Sequence, residues 1–75
     1  MSGGRVVALG SAPAVDGFAL GGAEPVHAED DDEVRRCWDA LPAEVALVIL
    51  TPAADAALRG RAAPHPHLLR ARIPT

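Results

Sequence analysis

Six consecutive apolar residues, Val45 to Leu50 (VALVIL), followed by Thr51-Pro52, constrain this chain more than any other stretch. The run is the longest apolar one in the sequence, yet far short of the ~20 residues a membrane span needs. VALVILT (Val45–Thr51) is apolar on both faces and stops at a proline. That is the pattern of a strand at the centre of a parallel sheet, covered by helices on both sides. Parallel strands need crossover connections, so helical segments must lie on either side of it in sequence.

They do. Three further apolar runs recur roughly every twenty residues, with helical spacing between them. RVVAL (Arg5–Leu9) is bounded by glycines and reads as a buried strand. EPVHA (Glu24–Ala28) is weaker, its proline suiting a strand start or a sheet edge. HLLRARIP (His67–Pro74) alternates, with Leu69, Ala71 and Ile73 on one face and Leu68, Arg70 and Arg72 on the other, as in an edge strand with one covered face. Between the second and third runs, Val34, Cys37, Trp38 and Leu41 fall at i, i+3, i+4 and i+7, a single helical stripe. Asp30 to Glu33 sit at its start, where free backbone N–H groups and the helix dipole favour negative charge. Asp30 and Glu33 have capping-box spacing, and Pro42 stops the helix. In TPAADAALRG, Thr51 can cap, Pro52 suits the first helical position and Gly60 the exit, with Ala54, Ala57 and Leu58 inward. SAPAVDGFAL forms the shortest helix, packing Val15, Phe18 and Ala19, with Gly17 costing about 1 kcal/mol relative to alanine.

The order is β-α-β-α-β-α-β, a single α/β domain over residues 1–75. Right-handed crossovers make this a small Rossmann-like or flavodoxin-like three-layer domain with a four-stranded parallel sheet and expected strand order 2-1-3-4. Only about 60–65% of the unfolded surface of so short a chain is buried on folding. Domains of this size often lean on disulfides, a metal or a partner. Cys37 is the only cysteine, which excludes an internal disulfide and fits a reducing, cytoplasmic setting. The N-terminus lacks a cleavage-site pattern, so no signal peptide is expected. A net charge of −3 argues against nucleic acid as the main partner.

In such sheets chemistry sits beyond the C-terminal ends of the strands, here Gly10-Ser11, Ala28 to Asp32, Thr51 and Pro74. A P-loop needs two glycines separated by four residues and then a lysine. Gly10 and Gly17 are separated by six, and the chain has no lysine. GSAPAV matches only the first glycine of a dinucleotide fingerprint, leaving Gly10 as a tight strand-to-helix turn. A receiver-type Mg²⁺ pocket needs carboxylates after the first and third strands, where this chain has Gly10-Ser11 and Thr51. The EDDDE run reads as a solvated, helix-capping cluster. Ser11 lacks a GxSxG elbow. His65 and His67 flank Pro66 in a loop with no third ligand near, suiting adventitious metal binding at most. His27 reads as a packed or surface histidine. Cys37 and Trp38 read as core, with no base or cation near to activate the thiol. No catalytic, cofactor-binding or metal residues are assigned, and the chain is not expected to be an enzyme by itself.

VVALGSAPAVDGFALGGAEPVHAEDDDEV resembles the opening of the F subunits of V-type and A-type rotary ATPases (ATP synthases). That family begins with a short strand ending in glycine, a helix with a GFxLaG signature, a second strand and an acidic helix start. The signature here is GFALGG, Gly17 to Gly22, with Ala19 where the family usually has a basic residue. VALVILTPAADAAL looks like its central strand and following helix, and PHLLRARIPT like its fourth strand, so the resemblance runs from Arg5 to Thr75. It implies a Rossmann-like, non-catalytic component of the central rotor stalk, bound beside the coiled-coil stalk subunit and peripheral to a membrane only through that complex. Family members continue past the fourth strand into a helix that helps engage the rotor, whereas this sequence has Thr75 directly after Ile73-Pro74. The apolar side of Leu69, Ala71 and Ile73 is then expected to be poorly covered. Leu69, Arg70, Ala71, Arg72 and Ile73 form the expected partner interface, either pairing with another copy or docking on a partner. The alternative expectation is a stand-alone α/β ligand or partner module, sensing a small anion at the first helix N-terminus near Gly10-Ser11.

Overall fold

The computed structural model describes residues 4–19 and 21–73, with Ala19 described by its backbone alone. Strand β1 (Arg5–Gly10) is followed by helix α1 (Ala12–Ala19), then β2 (Glu24–His27), α2 (Asp31–Asp39), β3 (Val45–Leu50), α3 (Pro52–Ala57) and β4 (Leu69–Arg72). All strand pairs are parallel and the sheet order is β2-β1-β3-β4. The alternation and the order match the sequence expectation. The side chain of Ala19, residue Leu20 of GFALGG, and Pro74 at the expected strand end and rim lie outside the described residues.

The helices divide unequally between the two faces. Helices α2 and α3 share one face, where Val7, Leu9, Val34, Trp38, Val48, Leu50 and Leu58 form the main core. Trp38, Leu9, Leu50 and Leu58 are fully buried there. Helix α1 lies on the other face, over a smaller cluster of Ala8, Val15 and Ala23 with Val6, Phe18 and Ile49 partly buried around it. The expectation that β3 is covered on both faces therefore needs correction. Val48 and Leu50 are buried under α2 and α3, but Leu47 and Ile49, on the α1 side, are only half-buried. One helix of eight residues covers β1 and β2 and does not reach across the second half of the sheet.

The helix ends follow their local chemistry. Asp30 caps α2 by accepting the Glu33 N–H at 2.8 Å, and Glu33 reaches back to the Glu29 N–H at 2.8 Å. The reciprocal return bond thus lands one residue earlier than in the standard capping box. Thr51 caps α3 by accepting the Ala54 N–H at 3.1 Å, with Pro52 in the first helical turn. Beyond α3 the chain turns at Gly60, which takes a φ of +78°.

Where β1 ends, Gly10 lies against the start of α3. A Cβ there would collide with Thr51 Cγ2 and stand 2.7 Å from its Oγ1, at a φ of +156° that side chains rarely adopt. Gly17, exposed in mid-helix, has nothing within 4 Å of a Cβ position. Gly10→Ala is therefore expected to destabilise the domain by about 1–3 kcal/mol. Gly17→Ala is expected to stabilise it by up to about 1 kcal/mol through helix propensity. Urea unfolding of the two variants measures both signs.

Candidate functional site

At the C-terminal ends of β1, β2 and β3 the strand order reverses, and there Gly10, Ser11, Ala28, Asp31 and Thr51 line a cleft of about 80 Å³. Small-molecule pockets begin at roughly 300 Å³. The N-terminus of α1 faces this rim, and its Ala12 N–H donates to Glu29 Oε2 at 3.1 Å. An internal carboxylate thus occupies a position that a bound anion takes in phosphate-binding α/β proteins. The other acidic residues here are engaged locally, Asp30 and Glu33 in capping and Asp32 with Arg35 at 3.0 Å. Among the described residues, no buried side-chain nitrogen or oxygen lacks a partner, and no three His, Cys, Asp or Glu are grouped to hold a metal.

The opposite end of the sheet is built differently. Strand β4 pairs with β3 in the register Leu47–Leu69, Val48–Arg70, Ile49–Ala71 and Leu50–Arg72. Side chains alternate along a strand, so Leu69 and Ala71 share the α1 side with Leu47 and Ile49. Arg70 and Arg72 go to the side of α2 and α3. There the Arg70 guanidinium lies 5.2 Å from the centroid of the Trp38 ring and donates to Asp55 at 3.0 Å. Arg72 reaches the second oxygen of Asp55 at 3.8 Å. Leu68, one residue before the strand, is buried in the main core.

The side of β4 that contacts the domain's own side chains is thus its arginine side, although all four residues of the strand stay exposed. Leu69 is 67% exposed, the one large hydrophobic residue so exposed among the described residues. With half-buried Leu47 and Ile49 and exposed Ala71, it makes an apolar strip between α1 and the edge of the sheet. Ile73 is half-buried, its N–H donating to the Leu50 carbonyl at 2.8 Å. The five residues expected at an interface are therefore brought together on one edge, divided between two faces.

The loop leading into β4 is strapped across the bottom of α2. The Trp38 indole N–H donates to the Ala62 carbonyl at 3.0 Å, and Arg61 pairs with Asp39 at 2.6 Å. His65 and His67 stack 6.0 Å apart, their Nε2–H groups donating to the carbonyls of Leu41 and Ala43. These histidines anchor a loop, a role their spacing in sequence does not reveal. His27 likewise pairs with Asp16 at 2.7 Å on the surface. Cys37 is half-buried against the main core, as its helical position implies. Asp55 and the cation–π partnership of Trp38 are not legible in the sequence, because both depend on the register of a strand more than a dozen residues away.

Comparison with protein-family models, curated proteins and solved structures finds no match to this chain.

The hydrogen bonds from Arg61 hold the Asp39 carboxyl below its ordinary value of 3.8. A carboxylate lowered on folding stabilises the protein above its unfolded value, and that stability is lost as pH falls through the folded one. Asp39→Asn is therefore expected to lower the urea midpoint near neutral pH. The difference from the parent should persist down to roughly pH 5 and vanish at still lower pH, as Asp39 itself protonates.

Proposed function

We propose that this chain is a non-catalytic docking module that engages a partner protein through the β3–β4 side of its sheet. The observation that carries this reading is the exposed Leu69 beside half-buried Leu47 and Ile49 and exposed Ala71, an apolar strip that the described elements of the domain cover only in part. Isolated surface leucines are ordinary, but a contiguous apolar strip on a sheet is a place for a partner.

The resemblance of GFALGG and its surroundings to the rotary-ATPase F subunits supplies the particular partner in this reading. The chain is then a cytoplasmic component of the central stalk of a proton- or sodium-translocating rotary ATPase, coupling or regulating it beside the coiled-coil stalk subunit. It would reach the membrane only through that assembly; among the described residues no helix is long and apolar enough to cross one. The stand-alone ligand module is the second reading, supported by the small cleft at the strand ends. The Glu29 carboxylate at the α1 N-terminus weighs against an anion there, and saturable binding of phosphate or nucleotide in calorimetry would favour that reading.

The test is recovery of partners from detergent-solubilised membranes with a tagged chain. The parent is expected to bring down the coiled-coil stalk subunit. Leu69→Glu, a change on an exposed side chain, should keep the melting temperature within a few degrees and lower recovery about tenfold or more. A parent chain that recovers no ATPase subunit would overturn the stalk reading.

A further inference from the structure

The two edges of the sheet are treated differently. The Ala28 N–H donates to the Gly10 carbonyl, so Ala28, and by alternation Val26 and Glu24, direct their backbone groups to β1. Pro25 and His27 then face the outer edge of β2. Proline has no N–H to offer there, which blunts that edge against strand addition. At the other end, the Ile73 N–H donates to the Leu50 carbonyl, so Ile73 and Ala71 direct their backbone groups to β3. Arg70 and Arg72 direct theirs outward, and both carry an N–H.

We propose that the open edge of β4 is a docking site for an extended acidic segment of a partner protein, one in which carboxylate residues alternate with apolar ones and which adds to the sheet as a fifth strand. This deepens the docking reading above and rests on it. Backbone groups of Arg70 and Arg72 supply the ladder. On one face of the added strand, side chains fall beside Arg70 and Arg72, two guanidinium groups that share the single carboxylate of Asp55. Asp55 is nearer Arg70, and Arg72 keeps 64% of its side chain exposed, so one cationic group has room for a second anion. On the other face, side chains fall beside Leu69 and Ala71, extending the apolar strip. A second copy of this chain is a poor occupant, because two β4 strands would crowd four arginines around two Asp55 carboxylates. The same charges reject basic strands.

Trp38 is the single tryptophan of the chain, and Arg70 lies over its ring, so Trp38 emission reports on this edge. The probe is a short blocked peptide alternating glutamate and valine, titrated at low salt. A saturable change in emission is expected. A lysine–valine counterpart, and a glutamate–valine peptide N-methylated along its pairing edge, should each bind about tenfold or more weakly. Arg72→Gln should weaken the acidic peptide, and Arg72→Glu should abolish its binding and admit the lysine peptide, with melting temperatures recorded for both.

Equal binding of the N-methylated peptide would overturn strand addition, and no binding of the acidic peptide to the folded parent would overturn the proposal outright. If the peptide fails while partner recovery still depends on Leu69, the edge proposal falls and the docking reading stands. If the peptide binds as expected while membranes yield no ATPase subunit, the edge proposal stands and the stalk reading falls.

Discussion

The register of β4 governs what this molecule presents to its surroundings. Leu68 enters the core, and the next alternate residue, Arg70, lies over the Trp38 ring and on Asp55. With those contacts made, Leu69 and Ala71 have no choice of side, because a strand sends successive residues to opposite faces. A slip of one residue would bury the leucine and expel the arginines. Packing thus favours an arrangement in which the guanidinium of Arg70 lies over an aromatic ring and its charge is met by the Asp55 carboxylate. The open leucine is the consequence.

That register depends in turn on the loop before it. Trp38, Asp39, Leu41 and Ala43 form a row of acceptors and donors at the end of α2, met by Ala62, Arg61, His65 and His67. Four contacts, from an indole, a guanidinium and two imidazoles, set the height at which the chain enters β4. At the opposite end, the close approach of Gly10 to Thr51 brings β1 and the start of α3 together where the sheet order reverses. The N-terminus of α1 there is met by the chain's own Glu29 carboxylate on Ala12. The two regions therefore differ in character, one with its helix N-terminus met by a carboxylate and the other, among the described residues, with outward-facing backbone groups at Arg70 and Arg72 and an exposed leucine.

Much of the fold is legible in the sequence because its signals are local. The stripe of Val34, Cys37, Trp38 and Leu41, the caps at Asp30 and Thr51, and the alternation in LLRARI each involve residues a few positions apart, and the structure keeps all of them. The strand order matches the flavodoxin-like arrangement expected for this alternation of elements. What is not legible is long-range. That Leu47 and Ile49 of β3 are only half-buried depends on how far the eight residues of α1 reach. That His65 and His67 anchor a loop depends on carbonyls 24 residues away. That Asp55 serves two arginines depends on the β3–β4 register. Alternation alone separates Leu69, Ala71 and Ile73 from Arg70 and Arg72, but that the arginines are the ones held against the domain depends on Trp38 and Asp55.

Residue-resolved amide hydrogen exchange on the free chain tests this account most directly. If β4 sits in this register with its outer edge unpaired, the amides of Ala71 and Ile73, bonded toward β3, exchange slowly, and those of Arg70 and Arg72 exchange at close to solvent-exposed rates. Uniform protection along the strand, or protection of Arg70 and Arg72 in place of Ala71 and Ile73, would contradict it.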